Sequence, residues 1–244
     1  MNILQNFRNK LFFKKFGYLY VRLNLNDAFI DKIINSMDAL YDKEELSKRY
    51  NGTRVQDAWK RINEVKSLAL NDKIFRTLKV LYGREPKAFQ TLNFPFGTSQ
   101  KVHSDTIHFN SIPKGYMAGV WVALEEIDKD NGPLVYYPKS HKLPYYNLED
   151  FDIKSDNADK YKIYEEKISE LINKKNLNQN LGIMPKGTAI IWHANLLHGG
   201  MKVKDKIRTR HSQVTHFFFE NCKYFTPLES SGNEISWRKP EWIA

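Results

Sequence analysis

Gln100-Lys101-Val102-His103-Ser104-Asp105, read together with His193-Ala194-Asn195-Leu196-Leu197-His198-Gly199-Gly200, decides the fold. Two imidazoles and one carboxylate are the ligand set of non-haem Fe(II), bound on one face with the other left open. A His-x-Asp pair on a strand points both side chains to one side, because side chains repeat every two residues. The third ligand must then come from a distant strand that folds back beside the first. The pair alone is a weak signal, since a lone strand histidine is more often a hydrogen-bonded structural residue than a ligand. His193 competes with His198 for the third position. His198 is preferred because it closes the apolar run 187–197 beside two glycines, while His193 lies within that run. The glycines are expected to let the backbone bend away and keep the metal face open.

Around this pair the sequence changes character. Strands are expected over 89–94, 101–109, 116–125, 134–137, 189–193 and 211–220, where β-branched and aromatic residues are bounded by turn residues. Asp130-Asn131-Gly132-Pro133 is a strong turn. Before residue 89 the pattern is helical. Ile3, Leu4, Phe7, Leu11 and Phe12 recur at helical spacing in 2–16, a helix expected to pack on its own domain, with a membrane-surface helix as the alternative. A strand at 18–21 follows Gly17. Asn26 or Asp27 caps a helix to Tyr41 with Phe29, Ile33, Ile34, Met37 and Leu40 on one face. A further helical stretch, 57–81, is interrupted at Asn71-Asp72 and ended by Gly83. One insertion, 158–175, is helical, with Tyr161, Tyr164, Ile168, Leu171 and Ile172 sharing a face. Many strands with helices at one end and one insertion argue for a jelly roll.

With 244 residues, 41% hydrophobic and 14% aromatic, the chain can bury a sizeable core within one large domain. That domain is expected to span 1–244, with a mostly helical part at 1–88, a core at 89–225 carrying an insertion at about 145–180, and a tail at 226–244. Cys222 stands alone, so no internal disulfide is possible, and a reducing, cytoplasmic setting is the expectation. The first sixteen residues lack the pattern of a signal peptide. The longest clean apolar run, 116–124, is too short to span a bilayer. The net charge of +10 concentrates in 1–16 and 202–210. It attracts anions generally, so nucleic acid, membrane surfaces and phosphorylated metabolites all stay open, although no basic-aromatic module specifies nucleic acid.

Arg210 and Ser212 are two apart, so on a strand they share a face. A guanidinium beside a hydroxyl is a good receptor for a carboxylate. Val214 continues the same face and suggests that it is buried. A buried arginine needs an anion, which the distal carboxylate of 2-oxoglutarate would supply. Arg208 is the minor alternative for that role.

These elements together resemble the phytanoyl-CoA dioxygenase family of Fe(II)/2-oxoglutarate oxygenases. The ordered set is F-Q-T-L at 89–92, H-x-D at 103–105, W-V-A-L-E at 121–125, N-G-P-L at 131–134, P-x-S-H-K at 138–142, H-G-G at 198–200 and R-x-S at 210–212. The match covers nearly the whole chain from Phe12 onward. Lys139 departs from it, standing where the family usually has glycine, which puts the local turn in question. The resemblance implies a fold that is mainly β with flanking helices (α+β), a double-stranded β-helix (jelly roll, cupin-like) with N-terminal helices packed on one face. It implies Fe(II) held by His103, Asp105 and His198, with 2-oxoglutarate and O2 as cosubstrates and Arg210 and Ser212 as the anchor. Trp121 sits where the family often has a tryptophan lining the cosubstrate pocket. Gln90 and Thr106, with Asn93 and Ser104 behind them, are weaker pocket candidates chosen by strand position. His108, His141, His211 and His216 receive no role. The implied reaction is hydroxylation of a small-molecule substrate with release of succinate and CO2. Asp105 favours that outcome, because halogenases of the superfamily lack this carboxylate. A non-catalytic β-helix ligand-binding protein, or a hydroxylase of protein or nucleic acid, are the rivals. The basic loop 202–210 would suit an anionic substrate, and the insertion 145–180 could form a lid.

Overall fold

The computed structural model describes residues 2–41, 54–232 and 234–244. Its strands are β1 (Tyr18–Arg22), β2 (Val55–Gln56), β3 (Pro86–Phe94), β4 (Asn110–Ile112), β5 (Met117–Ala123), β6 (Leu134–Tyr136), β7 (Asn180–Leu181), β8 (Thr188–His193), β9 (His198–Gly200), β10 (Ser212–Phe219) and β11 (Lys223–Phe225). Its α-helices are α1 (Ile3–Phe16), α2 (Asp27–Tyr41), α3 (Asn63–Ala69), α4 (Asp72–Tyr82) and α5 (Lys160–Lys174). Six strands form an antiparallel major sheet in the order β1-β8-β5-β10-β3-β2, β7-β6-β9 form a second sheet, and β4 pairs with β11. This is the jelly roll with N-terminal helices on one face.

The central strands read as almost unbroken apolar runs because the major sheet is covered on both sides. On one face, Ala118, Val120, Val122, Ala189, Ile191, Phe217 and Phe219 pack with Ile30, Ile33 and Met37 of α2, Val65 and Leu68 of α3, and Ile74 and Leu78 of α4. The alternate residues Trp121, Ala123, Ile190, Trp192 and Val214 face inward with Leu92 and Phe94. The insertion helix α5 buries Tyr164, Ile168 and Ile172 against Val135, Tyr137 and Leu197 of the second sheet and its flanks. Each layer therefore has one apolar partner, as a doubled sheet requires.

Four expectations change here. The segment 101–109 is no strand: His103 makes a lone bridge to His198, and a 3-10 turn runs over Asp105–Ile107, capped by the Ser104 hydroxyl, which accepts from the Thr106 amide. A serine that captures the backbone in this way competes with strand pairing. In the first helix the buried residue is Phe13, while Ile3, Leu4, Phe7, Leu11 and Phe12 are all exposed. The helix packs on the domain through the opposite side from the one its apolar spacing suggests. Residues 58–60 form a 3-10 turn ahead of α3 instead of opening an α-helix. In α2 the buried face is Ile30, Ile33, Met37 and Tyr41, rotated from the expected one. The Asn71 cap holds, accepting from the amides of Lys73 and Ile74.

Lys139 adopts φ +72, the left-handed conformation that glycine takes without cost. This explains why a glycine suits that position. The lysine amide still donates to Phe16 (2.9 Å), and its ammonium lies 5.8 Å from the Phe16 ring centroid. The turn is kept.

Candidate metal centre

His103 and His198 face one another across a lone antiparallel bridge that ties the segment before the 3-10 turn to β9. Each amide donates to the other's carbonyl, at 2.9 and 3.0 Å. This pairing sets the ring centroids 4.6 Å apart. The two imidazoles are held alike. Nδ1 of His103 lies 3.0 Å from the Lys101 carbonyl, and Nδ1 of His198 lies 2.9 Å from the Leu196 carbonyl. A carbonyl can only accept, so both rings carry their proton on Nδ1 and present the Nε2 lone pair. Each Nε2 stands 3.7 Å from Oδ1 of Asp105. All three residues are buried, and their donor atoms lie within 4.8 Å of one another.

Asp105 is aimed by a residue the sequence reading passed over. The Trp192 indole N–H donates to Oδ2 at 2.7 Å, and its ring packs 4.6 Å from that of His198. A buried tryptophan N–H demands an acceptor, and a carboxylate is a strong one. Ser104 and Thr106 support the same turn from behind through Asn195, whose side-chain carbonyl lies 3.2 and 3.4 Å from their hydroxyls. Burial favours the uncharged form of every group here. For Asp105 the surrounding histidines, His198 first and then His103, outweigh burial and hold the carboxyl well below the usual carboxylate range. Burial drives His198 down to about 4 against the pull of Asp105. In His103 burial is outweighed by the hydrogen bond and charge of Asp105, and the net shift is upward.

Two glycines are required by close approach. A Cβ on Gly119 would meet Cε2 of Trp192 at 2.2 Å. One on Gly199 would meet the Gln100 carbonyl at 2.8 Å. Gly199 thus lets the chain before His103 lie directly on β9, which corrects the expectation that it bends the backbone away. Replacing Gly119 with alanine is expected to push Trp192 off Asp105 and destabilise the fold by about 1–3 kcal/mol, as overpacking does. Urea unfolding of the metal-free chain measures this, and an unchanged midpoint would contradict the tight contact.

These residues open into a cavity of about 540 Å3. Gln90, Trp121 and Arg210 line it, together with His108, Phe109 and His216. Arg210 is buried, donating through Nη1 to Ser212 (2.8 Å) and through Nη2 to the Phe96 carbonyl (2.9 Å), while its Nε has no partner. Its guanidinium carbon lies 5.2 Å from the Trp121 ring centroid and 5.6 Å from that of Phe94. No carboxylate pairs with it among the described residues, and burial lowers it to about 10. Arg208 instead pairs with Asp128 at 2.7 Å on the surface.

Other candidates are placed elsewhere. Ser212 and Thr106 do not line the cavity; the first holds Arg210 and the second the Asp105 turn. Asn93 faces the helices and bonds Gln213, because it lies an odd step of three along β3 from Gln90, which reverses its face. His193 lies on the opposite face of β8 from Trp192, against Phe13 and Tyr82 of the helical layer. Of the basic loop 202–210 only Arg210 lines the cavity, and the insertion 145–180 does not; Thr226, Leu228, Glu229, Ser236, Trp237 and Arg238 do. His216 was legible after all, since Ser212, Val214 and His216 alternate on one face. Its Nδ1 meets Gln90 Oε1 at 2.9 Å, and its Nε2 lies 4.0 Å from Asp105.

A jelly roll that gathers two imidazoles, a carboxylate and a buried, unpaired guanidinium in one cavity is built as an oxygenase that uses iron and 2-oxoglutarate. The family profile of phytanoyl-CoA dioxygenase (PhyH) matches residues 13–211, and the chain belongs to that family. The peroxisomal phytanoyl-CoA dioxygenase of Bos taurus is 24% identical, over 96% of this chain and 74% of its own length. Among solved structures, the epimerase SnoN from nogalamycin biosynthesis, in complex with Fe3+, alpha ketoglutarate and nogalamycin RO, superposes with a TM-score of 0.74 at 16% identity over 100% of both chains. EctD from S. alaskensis, with 2-oxoglutarate and 5-hydroxyectoine, reaches 0.70 at 16% identity, over 99% of this chain and 85% of its own. Among the described residues no helix is long and apolar enough to cross a membrane.

Proposed function

We propose that the chain, acting as one domain, hydroxylates a small molecule with iron held by His103, Asp105 and His198 and 2-oxoglutarate anchored on Arg210. The observation that carries this reading is the pair of Nε2 atoms converging on one carboxylate within a cavity that also holds an unpaired buried guanidinium. The donor set fits Fe(II): neutral imidazole nitrogens and a carboxylate, with no thiolate, in a number that leaves positions open. The orphaned Nε of Arg210 fits a carboxylate at the far end of the cosubstrate. Once bound, iron and 2-oxoglutarate supply the oxidation, consuming O2 and yielding succinate and CO2 with a hydroxylated product.

The chain's own residues hold and protect that chemistry. The Lys101 and Leu196 carbonyls fix both histidine tautomers, and this second layer orients the ligands. Trp192 fixes the rotation of Asp105. Trp121, Leu92 and Phe94 give the cosubstrate end an apolar wall that excludes water. The carboxylate at position 105 supports hydroxylation, since it fills the place a halide would need. Adding Fe(II) and 2-oxoglutarate to the purified chain without oxygen is expected to produce a weak visible metal-to-ligand band. Admitting oxygen with a turnover-stimulating compound is expected to release succinate and add one oxygen atom to that compound. No band would overturn the reading. A product of unchanged mass would redirect it towards isomerisation, the activity named for SnoN.

A further inference from the structure

A step of four residues along β10, about 13 Å at strand rise, leads from Ser212, which holds Arg210, to His216. A second guanidinium stands at the His216 end. Arg238 lies on Phe109, with 4.9 Å from its guanidinium carbon to the ring centroid. Phe109 in turn lies 5.1 Å from the His216 ring, whose Nε2 is 4.0 Å from Asp105. Arg238 lines the cavity. Its backbone is tied to Tyr224 (2.8 Å), and Nη1 donates to the Thr226 hydroxyl (2.9 Å), a neutral partner. Its Nε is buried with no partner. No carboxylate pairs with it among the described residues. Glu229, on the same wall, pairs with Lys160 at 3.6 Å. Arg54 lines this end too, near enough for its charge to act on His108 and His216.

A cavity with one cosubstrate carboxylate to bind has a second cation where the cosubstrate anchor is not. A half-buried guanidinium with a spare donor and no counter-ion is stabilised by an incoming anion. We propose that Arg238 binds the anionic group, a carboxylate or a phosphate, of the primary substrate and holds it at the end of the cavity away from Arg210. This rests on the oxygenase reading above. Trp237, half-exposed beside it, supplies an aromatic face at the rim. The anion thus belongs to the C-terminal segment, in place of the basic loop 202–210.

Arginine side-chain resonances of the full chain, carrying zinc in place of iron and saturated with 2-oxoglutarate, test this during titration with acetate or inorganic phosphate. The Arg238 Nε–H signal, identified by its loss in Arg238→Lys, is expected to shift saturably with one of the two anions; which one names the group. Arg238→Gln is expected to weaken that anion about tenfold, read from the neighbouring Trp237 indole N–H in both proteins, the effect of losing a charged hydrogen bond. It should leave the Arg210 response to 2-oxoglutarate intact. An Arg238 signal that neither anion moves, or moves no more than the exposed Arg8, overturns the proposal. An Arg210 signal that ignores 2-oxoglutarate would instead count against the cosubstrate anchor, and the Arg238 readout stands apart from it.

Discussion

Asp105→Ala is expected to abolish the anaerobic band formed with Fe(II) and 2-oxoglutarate, and to weaken metal affinity by more than 100-fold. Loss of an outer partner alone costs 10–100-fold in such sites, and in the proposed site Asp105 would be a direct donor. The variant also strips the Trp192 indole N–H of its acceptor, which costs about 1–3 kcal/mol of stability as a buried donor left unsatisfied. Asp105→Asn separates the two effects, because its side-chain carbonyl can still accept from Trp192 while its charge is gone. His103→Ala and His198→Ala are expected to lose the band as well. A band that survives all three alanine variants would remove the triad from the reaction, and spectroscopic titration with iron decides it.

Arg210→Met separates binding from folding with opposite signs. Among the described residues the buried Arg210 cation has no carboxylate partner, a costly arrangement that a methionine of similar length relieves. The variant is therefore expected to be as stable as the parent or more so without ligand. Its affinity for 2-oxoglutarate is expected to fall by about 2–4 kcal/mol, roughly 30- to 1000-fold, the cost of truncating one partner of a buried charge pair. Thermal unfolding shows both: 2-oxoglutarate raises the parent's midpoint and leaves the variant's unmoved. Arg208→Ala should behave as the parent, since Arg208 serves a surface pair with Asp128. The reverse pattern would transfer the anchor to Arg208.

The architecture was legible where a pattern repeats. The near-continuous apolar runs of β5 and β8 mark a sheet buried on both faces, and the Asn71 and Gly83 signals bound α4 correctly. The rule of two along a strand would have placed His216 beside Ser212 and Val214, and would have removed Asn93 once Gln90 was chosen. Other features had no such signal. His103 and Asp105 share a side through a lone bridge and a capped 3-10 turn, a geometry that strand periodicity does not describe. The contacts of Trp192 with Asp105 and of Gly119 with Trp192 join residues far apart in sequence, so no local reading reaches them. The first helix misled because its exposed apolar residues outnumber the one position, Phe13, that is buried.

The wall formed by residues 226–238 is pinned by three backbone bonds: Thr226 to Ser236 at 2.9 Å, Arg238 to Tyr224 at 2.8 Å and Ile243 to Ala88 at 2.9 Å. It lies wholly beyond residue 211, where the family match ends. In the proposed reading, the residues that would hold iron and 2-oxoglutarate, between 103 and 210, and the wall that would meet the substrate therefore lie in different passages of the chain. A change confined to that short ribbon is thus expected to alter what the cavity admits while leaving the metal-facing residues where they are.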